Sequence, residues 1–351
     1  MSKSGETADL PKARRPPGSP TLRDVAREAG VHVSTVSRIL NGQAAAGRIT
    51  PETEQRIREV AERLGYRRNA LARALRTRRT HVVGMVVPDV SNLHQAAMTR
   101  AVADTLDSDG YSLLLASTGD DLERASRQVS AMLSSQADGL LYGVAREKDP
   151  VLSGIVESGT PVVLFNRGVP SLSSVLPDDR SGIRQAVEHL LELGHRKVAY
   201  VGGPEDVAST INRRAAFDEA LAAAGLEGSH AYADRYTEEA GLAATTEVFE
   251  TDPDLTAVVA GNDRLALGAI DAIRLRGLDC PKDVSVVGFN DMPYADRVSP
   301  ALTTVRVPSD EVGHRAASLL LELISDQGMR PRHILVQPEL VVRQSTAVPP
   351  G

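Results

Sequence analysis

Ala26, Gly30 and Val36 have the spacing that joins two short helices through a tight turn. Ala26 is small where the helices would cross, and Gly30 supplies a left-handed residue that a Cβ would penalise. Val36 would plug the space beneath the second helix, leaving Val33, Ser34, Ser37 and Arg38 on its outer face. A helix-turn-helix of this kind fits the DNA major groove, where hydroxyls and a guanidinium can read base edges. The same apolar pattern would also serve an ordinary three-helix bundle. The neighbouring charge favours DNA: Arg67, Arg68, Arg73, Arg76, Arg78 and Arg79 fall between Tyr66 and Arg79 with no acidic residue among them.

A second polar set lies further along, after apolar strand-like runs: Asp89 and Asn92, Asn166-Arg167, Asn262-Asp263, and Asn290-Asp291. Ligands of open α/β sheets bind beyond the carboxyl ends of the strands. Amides, carboxylates and a guanidinium around such a cleft suit a polyhydroxylated ligand. Asp263 and Asp291 would serve equally well as helix N-caps. Enzyme chemistry finds little support. No G-x-G-x-x-G follows a strand, and Val201-Gly202-Gly203-Pro204 has the wrong spacing. Neither G-x-x-x-x-G-K-[ST] nor H-E-x-x-H occurs. His189 and His195 are badly spaced for a shared metal, and the single cysteine, Cys280, can form neither a zinc cluster nor an internal disulfide. No cofactor and no metal are expected.

The elements that must position these groups follow from composition and periodicity. The 351 residues are 42% hydrophobic and 25% charged, which excludes wholesale disorder. Net charge is −6, but residues 1–80 hold 17 basic and 8 acidic side chains, and the rest hold 23 and 38. A basic front on an acidic body implies that the front meets a polyanion. Residues 1–20 are rich in Ser, Pro, Gly, Lys and Arg and are expected to be disordered. They contain no apolar h-region, and no run approaches the roughly 18 apolar residues of a membrane span, so a cytoplasmic location without membrane contact is expected.

Thr21 and Asp24 form a capping-box pattern before Leu22, Val25, Ala26 and Ala29, which share one helix face. Thr50 and Pro51 open a third helix as N-cap and N1, with Ile57, Val60, Ala61 and Leu64 on its apolar face. The segment from Ala70 to Arg76 is helical by propensity but too short to be stable alone. From His81 the pattern changes. Apolar runs at Val82–Val87, Leu113–Ala116, Gly139–Tyr142, Val162–Phe165, Val198–Gly202, Ala257–Ala260 and Val284–Phe289 alternate with amphipathic helices. This indicates α/β layers with parallel sheets covered on both faces. Restarts at His81 and Lys197 suggest two doubly wound lobes with a cleft between them.

Together the stretches Thr21–Val31, Thr35–Asn41, Leu64-Gly65-Tyr66 and Asn69–Arg76 resemble the headpiece and hinge of the lactose/galactose repressor (LacI/GalR) family. The resemblance continues at Gly194–Lys197, Asn262-Asp263 with Ala266–Gly268, Val286–Phe289, Leu302–Val305 and Pro338–Arg343, and so covers residues 21 to about 346. It implies a ligand-responsive transcriptional regulator, most simply a repressor of sugar or related catabolic genes, with a periplasmic-binding-protein type of body. The alternatives are a DNA-binding regulator of the same fold that has lost its small-molecule response and a solute-binding receptor, against which the basic first eighty residues argue. Val33, Ser34 and Arg38 match base-reading positions. Thr35, Ser37 and Asn41 match positions that mostly touch phosphate, and Thr21, Asn69 and Ala72 match further DNA contacts. Leu75 matches the hinge leucine that wedges between base pairs, though it could also simply pack a helix. In the cleft, Arg213 matches an arginine that contacts effector, with Ser209 one helical turn earlier. The full expected set is Asn92, His94, Asn166, Arg167, Ser209, Arg213, Asn262, Asp263, Asn290 and Asp291.

The expected partners are a palindromic double-stranded operator, a sugar-like effector and a second copy of the chain. A dimer is expected because no leucine heptad follows Arg343. The expected domains are a tail at 1–20, a headpiece at 21–68, a hinge at 69–79 and a two-lobed core at 80–346. Lobe 1 would take about 80–178 and 308–327, and lobe 2 about 179–307 and 328–346. Three departures from the family pattern stand out. His32 occupies the usual serine cap of the second helix. Asn92-Leu93-His94-Gln95 replaces a phenylalanine-bearing stretch, so a ring-stacking wall is expected to be missing. Asn290 replaces a common aspartate, and with Arg167 and Arg213 nearby an acidic sugar or sugar phosphate is expected to bind better than its neutral parent.

Overall fold

The computed structural model describes residues 20–40, 49–66, 79–146, 148–326 and 328–350. The expected tail at 1–20, apart from Pro20, the loop at 42–48 and the hinge segment Ala70 to Arg76 lie outside the described residues. The chain divides into one unit up to Arg78 and another from Arg79 onward.

In the first unit, α1 (Leu22–Ala29), α2 (Val33–Leu40) and α3 (Pro51–Arg63) follow the expected pattern. Thr21 caps α1 through a full capping box with Asp24, and Gly30 ends it with φ at 67°. Thr50 caps α3, with Pro51 at its first turn. Val25, Ala26, Ala29, Val36, Ile39, Ile57, Val60 and Ala61 form the buried centre of this unit.

The second unit holds two six-stranded sheets. Its elements are β1 (Val82–Val87), α4 (Leu93–Ser108), β2 (Ser112–Ser117), α5 (Leu122–Ser134), β3 (Gly139–Tyr142), α6 (Pro150–Glu157), β4 (Val162–Phe165), β5 (Ser174–Pro177), α7 (Asp179–Glu192), β6 (Val198–Gly202), α8 (Ala208–Ala223), β7 (Ser229–Tyr232), α9 (Glu238–Thr251), β8 (Ala257–Ala260), α10 (Asp263–Leu275), β9 (Ser285–Asn290), β10 (Thr303–Arg306), α11 (Ser309–Ser325), β11 (His333–Val336) and β12 (Glu339–Val341). The first sheet is parallel throughout, in the order β11-β5-β4-β3-β1-β2. The second runs β12-β10-β9-β8-β6-β7, with only β12 antiparallel.

Strands β1, β3, β4, β6, β8 and β9 are almost wholly buried, as strands with helices on both faces must be. One continuous apolar core runs through both lobes, from Met85 and Phe165 to Tyr200 and Phe289. Separate clusters fill the opposite face of each sheet. The chain passes between lobes at Asp178, at Val307-Pro308 and at Gln337-Pro338. The last passage corrects the expected boundary. Residues 333–336 are expected in lobe 2 but form β11, which pairs with β5 on the first sheet before the chain crosses. Among the described residues no helix is long and apolar enough to cross a membrane.

Candidate functional site

The candidate recognition face is the outer side of α2. Ser34 and Arg38 are exposed, and Val33, Thr35 and Ser37 are half-buried. Val33 packs partly on the core of its own unit. Arg27, Arg58 and Arg63 are tied up with Asp24, Glu54 and Glu28, whereas Arg38 makes no ion pair among the described residues. Among the described residues nothing occupies its guanidinium, which leaves it open to a base or a phosphate. Thr21 is occupied with its cap: its hydroxyl donates to Asp24 at 2.7 Å and accepts from the Asp24 amide at 3.3 Å. His32 does not leave α2 uncapped, because its Nδ1 accepts from the Ser34 amide at 3.3 Å. Asn41, Asn69, Ala72 and Leu75 lie outside the described residues.

The second site is a cleft of about 610 Å³ at the carboxyl ends of the strands, within the usual range for small-molecule pockets. Asn92, His94, Asn166, Arg167, Ser209, Arg213, Asn262 and Asn290 all line it. Local structure explains how several of them are held. Asn92 and Asn262 cap α4 and α10, accepting from the amides of His94 and Leu265. Asn166 and Asn290 have φ of 60° and 112°, which asparagine tolerates better than most residues.

Asp263 and Asp291 are not part of the lining, which corrects the expectation, and neither caps a helix. The buried Asp263 accepts from Thr304 Oγ1 at 2.5 Å and from the Met292 amide at 2.6 Å, tying the start of α10 to β10 and the turn after β9. Burial pushes its carboxyl up to about 7. Asp291 is turned away to pair with Arg306 at 2.7 Å and Arg343 at 2.6 Å.

The cleft's charge also differs from expectation, because each arginine has an aspartate. Arg213 donates through Nε to Asp179 at 2.8 Å and through Nη1 to the Gly261 carbonyl at 2.5 Å, and its guanidinium lies 3.8 Å from the Phe289 ring centre. Burial raises the Asp179 carboxyl, against the pull of Arg213. Arg167 forms a two-pronged pair with Asp120 at 2.5 and 3.1 Å. Arg146 pairs with Asp206, and Arg235 with Asp234 at 3.0 Å. The expected excess of positive charge is thus neutralised. Among the described residues the lining atoms left buried without a hydrogen-bond partner are two acceptors, Gln95 Oε1 and Asn290 Oδ1, and one donor, Arg146 Nε.

His94 hydrogen-bonds to Ser309 Oγ at 2.8 Å through Nδ1 and faces Asn166 Oδ1 at 3.4 Å through Nε2. Burial pulls its pKa down to about 4, with Asn166 opposing and Arg213 reinforcing. An aromatic ring is present after all. Tyr236 lines the cleft, held by Thr210 Oγ1 at 2.8 Å, and the Arg167 guanidinium lies 5.5 Å from its ring centre. Tyr236, Asp120, Asp179 and Asp206 escaped sequence reasoning. They sit in loops or at a helix start, and only the folded topology brings them to the arginines.

The chain is similar to known proteins over nearly its whole length. The signature described as bacterial regulatory proteins, lacI family, matches residues 21–69, and that of a periplasmic binding protein-like domain matches residues 187–346. The chain is 34% identical to the HTH-type transcriptional regulator CelR of Thermobifida fusca, over 93% of this chain and 98% of that one. It is 31% identical to catabolite control protein A of Priestia megaterium, over 93% and 99%. Among solved structures, a lac repressor dimer bound to operator and the anti-inducer ONPF superposes with a TM-score of 0.83 at 25% identity, covering 94% of this chain and 99% of that one. A CelR–cellobiose complex superposes with a TM-score of 0.69 at 32% identity, covering 93% and 99%. The chain belongs to the lacI family of bacterial regulatory proteins and is a DNA-binding transcriptional regulator, not an enzyme.

Proposed function

We propose that this regulator is a cytoplasmic homodimeric repressor of sugar-related genes, which binds a palindromic operator and responds to a neutral saccharide. The observation that carries the effector class is the pairing of Arg146, Arg167, Arg213 and Arg235 with aspartates, beside two unpaired buried amide oxygens. These acceptors call for donors, and the unpaired Arg146 Nε calls for an acceptor; a sugar's hydroxyls supply both, and buried polar groups left unpaired are costly. An acidic sugar would bring a second anion to cations already satisfied. Two relatives support the class: CelR is known in complex with cellobiose, and another relative, at 29% identity, is a ribose operon repressor. Calorimetric titration with cellobiose and its matched aldonic acid tests the reading. The neutral sugar is expected to bind more tightly, and a preference for the acid would overturn it.

On the DNA side, the reading assigns base contacts to Val33, Ser34 and Arg38. Backbone or hinge contacts go to Thr21, Thr35, Ser37, Asn41, Asn69 and Ala72, and the wedge to Leu75. The lac repressor dimer bound to operator supports a palindromic site and a dimer. Operator affinity should fall with salt by roughly 0.9 log units per log unit for each phosphate neutralised. Arg38→Ala should relax base preference, and Leu75→Ala should weaken operator binding far more than nonspecific binding. Equal affinity for selected and random DNA at physiological salt would end the proposal.

A further inference from the structure

At the start of α2 the ring of His32 takes two hydrogen bonds from one residue. The Ser34 amide points at His32 Nδ1 at 3.3 Å, and the Ser34 hydroxyl oxygen lies 2.8 Å from the same atom. A backbone N–H can only donate. Nδ1 therefore carries its lone pair, and the ring proton sits on Nε2. With no proton on Nδ1, the hydroxyl must be the donor in the 2.8 Å contact. A serine hydroxyl has one proton to give and two lone pairs to receive. His32 thus consumes Ser34's only donor and leaves it an acceptor on the exposed face of α2.

We propose that His32 is a specificity-positioning residue, which fixes Ser34 as an acceptor-only reader of an amino group on a base edge. In the major groove, adenine N6 and cytosine N4 are the donors, whereas guanine N7 and O6 and thymine O4 are acceptors. On the contacted strand, the base facing Ser34 is therefore adenine or cytosine. Without His32 the hydroxyl rotates freely and accepts or donates with equal ease. The inference rests on the assignment of Ser34 to a base edge made above, and extends it from contact to chemistry.

Selection of bound sites from a randomised duplex library, using the full chain, tests it. Ser34→Ala marks the half-site position that Ser34 reads, because preference there flattens. At that position the unaltered protein favours adenine or cytosine by a few-fold to about tenfold, the size of one hydrogen bond. His32→Gly removes the ring yet is a tolerated N-cap. It brings guanine and thymine up to parity at that position while leaving preferences at other positions in place. His32→Asn, whose Oδ1 can accept from the same two donors, retains the original preference. A preference that survives His32→Gly, or that runs toward guanine or thymine in the unaltered protein, overturns the proposal. If Ser34→Ala alters no position, it is the base-edge assignment that fails, and the inference fails with it.

Discussion

At the scale of single residues, the cleft is organised around buried charge. Arg213 and Asp179 are both largely withdrawn from water, and each satisfies the other. Removing one partner of such a pair leaves the other uncompensated, a loss of about 3–5 kcal/mol. Arg213→Ala is therefore expected to lower stability in denaturant titrations by that amount, and adding Asp179→Asn should recover much of it. If the single variant were as stable as the parent, the pair would be less buried than the geometry indicates. His94 gives a second expectation. Its neutral form is favoured by burial, with a folded pKa of about 4 against about 6.5 unfolded. The unfolded chain thus binds the proton first, so stability is complete above pH 6.5 and is lost as pH falls toward 4, by about 3 kcal/mol for this group alone. In an NMR titration the His94 ring signal should stay flat from pH 8 to 5, and a midpoint near 6.5 would contradict it. Sequence reasoning could name Arg213 and His94 because the family pattern marks their positions. It could not foresee Asp179 or Ser309 as their partners, which come from distant parts of the chain.

At the scale of elements, legibility followed burial. Strands covered on both faces, such as β1, β6 and β9, read as unbroken apolar runs and were found at nearly their true bounds. β7, β11 and β12 were missed. Each lies at a sheet edge, only partly buried, and its sequence mixes polar with apolar residues. β5 and β10 were missed as strands for a different reason: they are short and carry serine, threonine and proline. The joint between α9 and α10 was also illegible. A Cβ on Gly268 would lie 2.1 Å from the Glu238 carbonyl oxygen and 2.5 Å from the Leu242 amide nitrogen, and one on Gly241 would lie 2.6 Å from the Leu265 carbonyl oxygen. These two glycines let the helices touch backbone to backbone, and backbone cannot swing aside as a long side chain can. Gly268→Ala must part the helices, so a destabilisation of about 3 kcal/mol is expected, at the upper end of overpacking costs. Ala269→Gly on the same helix adds no bulk and serves as the control for altered helix propensity. Equal melting temperatures for Gly268→Ala and the parent would show that the joint has slack.

At the scale of the whole second unit, the two lobes face each other across the cleft and touch at its polar groups. Arg146 of lobe 1 pairs with Asp206 of lobe 2, and an isolated antiparallel bridge joins Arg146 to Val207. Asp89 of lobe 1 lies 3.5 Å from Arg264 of lobe 2, and Arg167 reaches over Tyr236. A ligand shifts the balance between lobe arrangements only if it binds them unequally, and one filling this cleft touches both lobes at once. The ion pairs at the rim hold the same two lobes together, so they and the ligand favour the same arrangement. Asp206→Asn removes one such tie. Asp206 is 60% exposed, so the pair is worth no more than about 1 kcal/mol and overall stability should hardly change. The effect belongs instead in ligand affinity: a neutral disaccharide should bind up to about fivefold more weakly, since 1.4 kcal/mol corresponds to about tenfold. Salt gives the discriminating measurement. The Debye length shrinks from about 10 Å at 0.1 M to about 3 Å at 1 M, so the tie is screened and parent and variant should converge in high salt. A loss far larger than fivefold that persists at 1 M salt would mean that Asp206 bonds the sugar directly and that the lobes are held by other contacts.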